Sequence, residues 1–211
     1  MNQHPGNPPH STARSIALAL ATTLLFLAGT AAAQPAPDPA AEPAGAPHHL
    51  LGFDIAMDAS TFSFEGPTND AGFPADGTPF IVRGHLYPAG TFDAHGSASG
   101  TLPDGSPEFP GQVLGTWYCR GWHLQDGDAL TGPVVATTQI FDLDLSQPGS
   151  RTIVTEGIEL ADFGVPFLRT VTGGTGRFRN LAGQTSQIYH DFNASGGFNT
   201  SVVLPTGARP D

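Results

Sequence analysis

Charged side chains that could move a proton or orient a carbonyl group lie within strand-like, apolar segments of this sequence. Arg120, Glu156, Glu159 and Arg169 all have apolar or β-branched neighbours. A carboxylate or guanidinium group enclosed in a narrow interior has a shifted pKa and can act in proton transfer. The same groups would be ordinary surface charges if they faced solvent. Glu156, Glu159 and Arg120 are therefore candidate catalytic residues, and Arg169 is a candidate ligand contact.

An aromatic segment offers candidates for binding an apolar ligand. Residues 116–123 hold both tryptophans and the single cysteine of the chain. Because strand residues alternate between two faces, each face would carry aromatic and polar groups, as ligand cavities do. A shift of one residue inverts the faces, so the sequence leaves open which one is internal. The alternative for the cysteine is a small buried apolar residue. The candidate ligand-binding residues here are Trp117, Tyr118, Cys119 and Trp122.

The sequence predicts neither a metal site nor a cofactor. One cysteine excludes the zinc patterns that need several, and the histidines show no spacing typical of metal ligands. The run Gly173-Gly174-Thr175-Gly176 lacks the Gly-Lys-Ser/Thr ending of a phosphate-binding loop and predicts a turn instead. The histidines of the predicted strands are His85, His95, His123 and His190.

The N-terminal residues predict export. An apolar run follows Arg14 and ends in Ala31-Ala32-Ala33, a pattern that signal peptidases cleave. Residues 1–33 are the predicted signal peptide, and its removal leaves no membrane span. The mature chain would carry seven arginines against 19 acidic residues, a formal charge of −12. Nucleic acids and anionic membranes are thus unfavourable partners, and the predicted location is extracellular.

The rest of the chain predicts one all-β domain. Residues 34–49 are a Pro/Ala-rich linker, residues 50–205 the domain, and residues 206–211 a C-terminal tail. Period-two patterns separated by turn residues indicate eight or nine strands, which form a barrel or a sandwich. The expected strands are 51–58, 80–87, 91–95, 113–124, 134–145, 151–160, 165–172, 177–192 and 198–204.

One segment resembles a known superfamily. An apolar strand, Phe167 to Thr172, leads into Gly173-Gly174-Thr175-Gly176-Arg177-Phe178, and Gly183 follows. This segment is similar to the glycine turn of allene oxide cyclases and of the related dirigent proteins. Residues 136–141 and 153–157 continue the similarity, which covers about residues 113–204. The chain is thereby identified as a secreted, bacterial-type member of this superfamily.

The resemblance implies a closed eight-stranded antiparallel β-barrel, often trimeric, with an apolar lumen open at one end. It also implies a pocket position for Asp54, an acidic residue near the start of the first strand, and for Cys119. Two positions depart from the family. No tyrosine stands in Gly157-Ile158-Glu159-Leu160, where the cyclases have one, and Ala182 replaces the arginine that dirigent proteins place before the last glycine. The family's reactions therefore do not transfer to this chain.

Two functions remain open from the sequence. The first is a secreted barrel that binds a small hydrophobic molecule in its lumen, as an isomerase or cyclase or as a dirigent-like guide of ring closure. The second is a non-catalytic extracellular structural or interaction module. An open apolar cavity with charged groups would favour the first function, and a lumen filled by large side chains would exclude it.

Overall fold

The computed structural model describes residues 49–95 and 99–206. This part of the chain forms eight strands, which pair antiparallel in sequence order, and the first also pairs with the last. The closed eight-stranded barrel predicted from the sequence is therefore confirmed. The strands are β1 (His49–Phe64), β2 (Pro79–Pro88), β3 (Gly115–His123), β4 (Pro133–Asp142), β5 (Thr152–Leu160), β6 (Phe167–Gly174), β7 (Gly183–Phe192) and β8 (Phe198–Thr206).

Closure depends on the pairing of β1 with β8. Phe53 lies opposite Val202, and Ile55 lies opposite Thr200, so the two edges that an open sheet would expose are joined. Closure satisfies backbone groups that would otherwise be free to pair with other chains. Alternation then sends every second side chain into the lumen, and on β3 the odd-numbered residues are the buried ones.

Large apolar side chains fill one end of the barrel. Phe53 stacks on Phe141 with ring centroids 5.9 Å apart, and Leu86, Ile153 and Leu204 are completely buried beside them. Burying a large apolar side chain stabilises a fold by about 1.5–3 kcal/mol. This packed end provides a rigid base, and the candidate site occupies the other end.

A second, smaller core lies on the outer face of β1 and β2. The connection between β2 and β3 folds over this face, so that Tyr87 and Phe92 are buried outside the lumen. The Tyr87 hydroxyl donates to the carbonyl oxygen of Gly100 over 2.6 Å. Burial raises the pKa of Tyr87 to about 12. This core explains why polar residues on the outer side of β1 are inaccessible.

The strand predicted at residues 91–95 is wrong. A short helix, α1 (Thr91–Ala94), follows Gly90, whose φ of 82° suits glycine. The Asp54 carboxylate accepts a hydrogen bond from the Phe92 amide over 3.1 Å. The Asp54 carboxylate thus satisfies a backbone amide at the start of the helix, which in a strand would bond to a neighbouring strand.

The glycine turn is also longer than predicted. β6 continues through Gly174, and β7 begins at Gly183 and not at residue 177. Between them, a single 3₁₀ turn (Gly176–Phe178) places Phe178 against the packed end of the barrel. Burial of this phenylalanine favours a loop over the shorter turn expected from the glycines.

Several predictions concern residues that are not described. The signal peptide, residues 1–33, lies outside the described residues, as do residues 34–48 of the linker and residues 207–211 of the tail. β1 begins at His49, one residue inside the predicted linker, and β8 ends at Thr206. Across the described ranges, no helix is long and apolar enough to cross a membrane.

Candidate functional site

A cavity of about 430 Å³ occupies the end of the barrel opposite the packed core. Its walls are mainly apolar and come from most of the strands. The residues at its mouth include Phe73, Leu130, Phe163 and Phe192, which are 39 to 80% exposed. The polar atoms and aromatic edges that reach the cavity belong to Trp117, Cys119, His123, Glu159 and Tyr189. The cavity is therefore an apolar chamber with a small number of polar contacts.

The Glu159 carboxylate is the centre of a buried hydrogen-bond network. Its Oε1 accepts three hydrogen bonds. The donors are Arg169 Nη1 at 2.7 Å, Gln139 Nε2 at 2.8 Å and the Thr137 hydroxyl. Its Oε2 accepts from the Tyr189 hydroxyl. Glu159 is only 2% exposed. A buried carboxylate requires such donors and a cation, because desolvation of an unpaired charge is costly.

Arg169 lies beneath this carboxylate and does not reach the cavity. Its side chain is fully buried. Its Nε donates a hydrogen bond to the Thr155 hydroxyl over 3.1 Å, and its Nη2 donates one to the Thr137 carbonyl oxygen over 3.2 Å. Gly157 makes room for it, because a Cβ at that position would lie 3.3 Å from the Arg169 Cγ. Arg169 thus fixes the position and compensates the charge of Glu159.

Strand register explains how distant residues meet in this network. Thr137 on β4 lies opposite Gly157 on β5, and Gln139 lies opposite Thr155. All four positions face the lumen. Gln139 extends the network to β3 by accepting from the Trp117 indole N–H over 3.1 Å. The ring orientation of a cavity-lining tryptophan is therefore coupled to the Glu159 carboxylate.

Two further ionisable groups beside Glu159 are held in their neutral forms. Burial raises the pKa of the Tyr189 hydroxyl well above its ordinary value, and the Glu159 charge adds to this. Burial likewise raises the pKa of the Cys119 thiol, whose Sγ lies 4.0 Å from Glu159 Oε1. Tyr189 is therefore a hydrogen-bond donor to the carboxylate, while its oxygen can accept a bond from a ligand.

The sequence candidates separate into three groups. Trp117, Cys119 and Glu159 line the cavity, and Arg169 lies in the lumen behind Glu159. Arg120 and Glu156 are exposed on the outside of the barrel, Trp122 is 60% exposed there, and Tyr118 points the same way. The expectation that these last four face a ligand in the lumen is corrected, because alternation directs only one face of each strand inward.

Asp54 occupies a third position. It is buried, but on the outer side of β1, where its Oδ1 accepts from the Ser201 hydroxyl over 2.7 Å. Its Oδ2 binds the amide of Phe92 in α1. The expected pocket position is therefore wrong, and this carboxylate attaches the connection between β2 and β3 to the barrel.

Sequence reasoning missed Tyr189, Gln139 and Thr137. Each lies on a strand whose buried positions alternate with partly exposed ones, so the pattern could have placed them on an internal face. Their convergence on Glu159 depends on the stagger between strands, which the sequence does not specify. Within the described ranges, no three His, Cys, Asp or Glu side chains converge as metal ligands.

Fold and site together define a closed antiparallel β-barrel with a pocket at one end, which is the architecture implied by the resemblance to dirigent proteins. No protein-family model matches the chain, and no curated protein matches its sequence. Among solved structures, it is similar to a pterocarpan synthase dirigent protein (12% identity, TM-score 0.48), covering 78% of this chain and 89% of that one. It is also similar to pyocyanin demethylase (14% identity, TM-score 0.43), covering 74% of this chain and all of that one.

Proposed function

We propose that this protein binds a small, largely hydrophobic molecule inside its barrel, with a polar group of that molecule directed at Glu159 and Tyr189. The observation that carries this proposal is the apolar cavity of about 430 Å³ that ends on a buried carboxylate. Binding sites for small molecules usually have volumes of about 300–1,000 Å³ and a few convergent polar groups among apolar walls. The cavity fits this description in size and chemistry.

The polar network suits recognition because it is already assembled. Four side chains hold the two Glu159 oxygens in place, so a ligand does not have to order them on binding. Preorganised contacts reduce the entropic cost of association. The ion pair with Arg169 leaves this group without net charge, which favours a neutral ligand over an anion.

The same geometry supports a chemical role for a ligand that rearranges or closes a ring. Apolar walls can hold such a molecule in one conformation, and positioning reacting atoms lowers a barrier by several kcal/mol without acid–base groups. Glu159 Oε2 and the Tyr189 oxygen offer hydrogen-bond acceptors at the polar end of the chamber, and the carboxylate can also accept a proton. We extend the proposal to an isomerase or cyclase activity, or to guidance of a ring closure, at this site.

The alternative of a non-catalytic structural module receives less support. A structural module requires no cavity, and a lumen filled by side chains from end to end would have favoured that alternative. Large side chains fill the end around Phe53 and Phe141, but the opposite end encloses the chamber. Aromatic residues at the mouth, such as Phe163 and Phe192, also provide an apolar entrance.

The proposal includes an extracellular location and, from the resemblance, assembly into trimers. The apolar leader and the acidic mature chain support export. Native mass spectrometry of the protein purified from the culture medium of its own host tests all three elements. We expect an N-terminus at Gln34, a trimer mass, and extra mass from a small molecule that is released on denaturation. A protein that stays within the cells, or that carries no molecule and takes up none from a host extract, would contradict the proposal.

A further inference from the structure

His123 is a buried histidine without a hydrogen-bond partner in the wall of the cavity. It is 6% exposed, and within residues 49–95 and 99–206 neither ring nitrogen meets a donor or an acceptor. Buried polar side chains nearly always have partners, because the loss of hydrogen bonds to water is otherwise uncompensated. An unpartnered imidazole in the wall of a cavity indicates a partner supplied from within that cavity.

The position of this imidazole is fixed from several sides. The His123 backbone amide donates a hydrogen bond to the Thr78 carbonyl oxygen over 3.0 Å. The His123 carbonyl oxygen accepts a hydrogen bond from the Gly77 amide over 2.9 Å. The ring packs on Phe80, with centroids 5.1 Å apart. Gly127 covers it so closely that a Cβ there would lie 3.2 Å from the His123 Cε1. The side chain therefore has little freedom to find a partner elsewhere.

His123 and Glu159 lie in the same row of the barrel. His123 on β3 is opposite Val135 on β4, and Val135 is opposite Glu159 on β5. Two strand spacings separate their Cα atoms by about 10 Å, and the side chains at both positions line the cavity. A single small molecule can therefore contact both.

We propose that His123 is a second polar contact for the ligand, so that the ligand is an uncharged, mainly apolar molecule with hydrogen-bonding groups at two separate positions. One group meets Glu159 and Tyr189, as in the proposed function on which this inference rests. The other, a hydroxyl or a carbonyl group, meets the imidazole. His123 is then a specificity-determining residue that distinguishes ligands with both groups from ligands with one.

The charges around the chamber favour an uncharged second group. Burial lowers the pKa of His123, and Asp126 acts in the opposite direction, so the ring is neutral at neutral pH and offers one donor and one acceptor. Asp128 lines the cavity near the same loop. An anionic group would be repelled there, whereas a hydroxyl group can both donate and accept.

Calorimetric titration with two uncharged probes tests this inference. The probes are 2-naphthol, with one hydroxyl group, and 2,6-dihydroxynaphthalene, with hydroxyl groups at opposite ends of the same ring system. Wild-type protein is expected to bind the dihydroxy probe about fivefold more tightly, the worth of one added hydrogen bond. His123→Phe should abolish this preference and His123→Gln should retain part of it. His190→Phe should leave it unchanged, because His190 is exposed and bonds Ser201.

The possible results separate this inference from the proposed function. Binding of 2-naphthol to wild-type protein with no gain for the dihydroxy probe would overturn the role of His123 and leave the binding function intact. A preference that persists in His123→Phe would do the same. Failure of both probes to bind would count against the proposed function and against the inference together. Absence of the wild-type preference would overturn the inference without any variant, and His123→Gln supplies a second variant if His123→Phe does not fold.

Discussion

Arg169 Nη1 lies 2.7 Å from Glu159 Oε1, and both side chains are buried inside the barrel. Glu159 reaches the cavity, whereas Arg169 lies behind it and has no contact with the chamber. The pair therefore connects the binding site to the packed structure of the barrel. Changes on either side of the pair are expected to affect both stability and binding.

Removal of one member of this pair should be more harmful than removal of both. Arg169→Met leaves the Glu159 charge unpaired, and we expect a loss of about 3–5 kcal/mol in the free energy of unfolding. The double variant Glu159→Gln, Arg169→Met contains no buried charge at this point and should recover part of that loss. Urea denaturation measures each value. Additive losses in the double variant would contradict coupling between the two residues.

Substitution of Gly157 should disturb the same pair by crowding alone. In Gly157→Ala the new Cβ would press on the Arg169 side chain at about 3.3 Å, and overpacking of this kind costs about 1–3 kcal/mol. Thermal unfolding measures the loss, and weaker binding of a cavity probe should accompany it. Gly111→Ala is the matched control, because its Cβ would meet no atom within 4 Å. Equal stability of the two variants would show that Arg169 does not need this space.

The pH dependence of stability should reveal the buried tyrosine. The pKa of Tyr189 is raised in the folded protein, so unfolding in alkali releases a proton that the native state retains. The contribution of Tyr189 to stability is complete below pH 10, the ordinary pKa of tyrosine, and is lost as the pH rises above that value. Tyr189→Phe should therefore lose less stability between pH 9 and about pH 11 than the wild type does. Parallel curves for the two proteins would contradict this environment for Tyr189.

Cys119 should react slowly although it lines the cavity. Burial raises the pKa of the thiol, and the Glu159 charge raises it further, so the reactive thiolate is scarce. With dithiobis(nitrobenzoate) at pH 8, the native protein should react at least about tenfold more slowly than the protein in urea. Glu159→Gln removes the nearby charge that raises the thiol pKa and should modestly accelerate the reaction of the native protein with the reagent. Equal rates in the native and unfolded states would contradict the burial of Cys119.

The fold was more accessible from the sequence than the site. Period-two patterning predicted a barrel or a sandwich, because alternation and turn residues are local properties, and the resemblance of the segment around Gly173 implied the closed barrel. The helix at residues 91–94 was missed because its cause, the Asp54 carboxylate bound to the Phe92 amide, joins residues 38 positions apart. Short-range patterns contain no information on such a contact.

The sequence candidates for the site fall on both faces of the barrel wall. Glu159 and Trp117 lie in the lumen, whereas Trp122 and Glu156, chosen on the same grounds, lie outside. Composition treats both faces of a strand alike, and only the register of the closed barrel distinguishes them. His123 was not among the candidate ligand contacts, since its lack of a partner is visible only in the folded structure.

The two tryptophans provide the most direct test of the central claim that the barrel binds a small apolar molecule. Trp117 lines the cavity, whereas Trp122 is on the outer surface and 60% exposed. Bromobenzene is uncharged and quenches indole fluorescence only on close contact. In Trp122→Phe, which retains Trp117 alone, we predict quenching that saturates with increasing bromobenzene. In Trp117→Phe, which retains Trp122 alone, we predict a linear, unsaturated response. Linear quenching in both variants would show that bromobenzene does not bind in the chamber and would contradict the account.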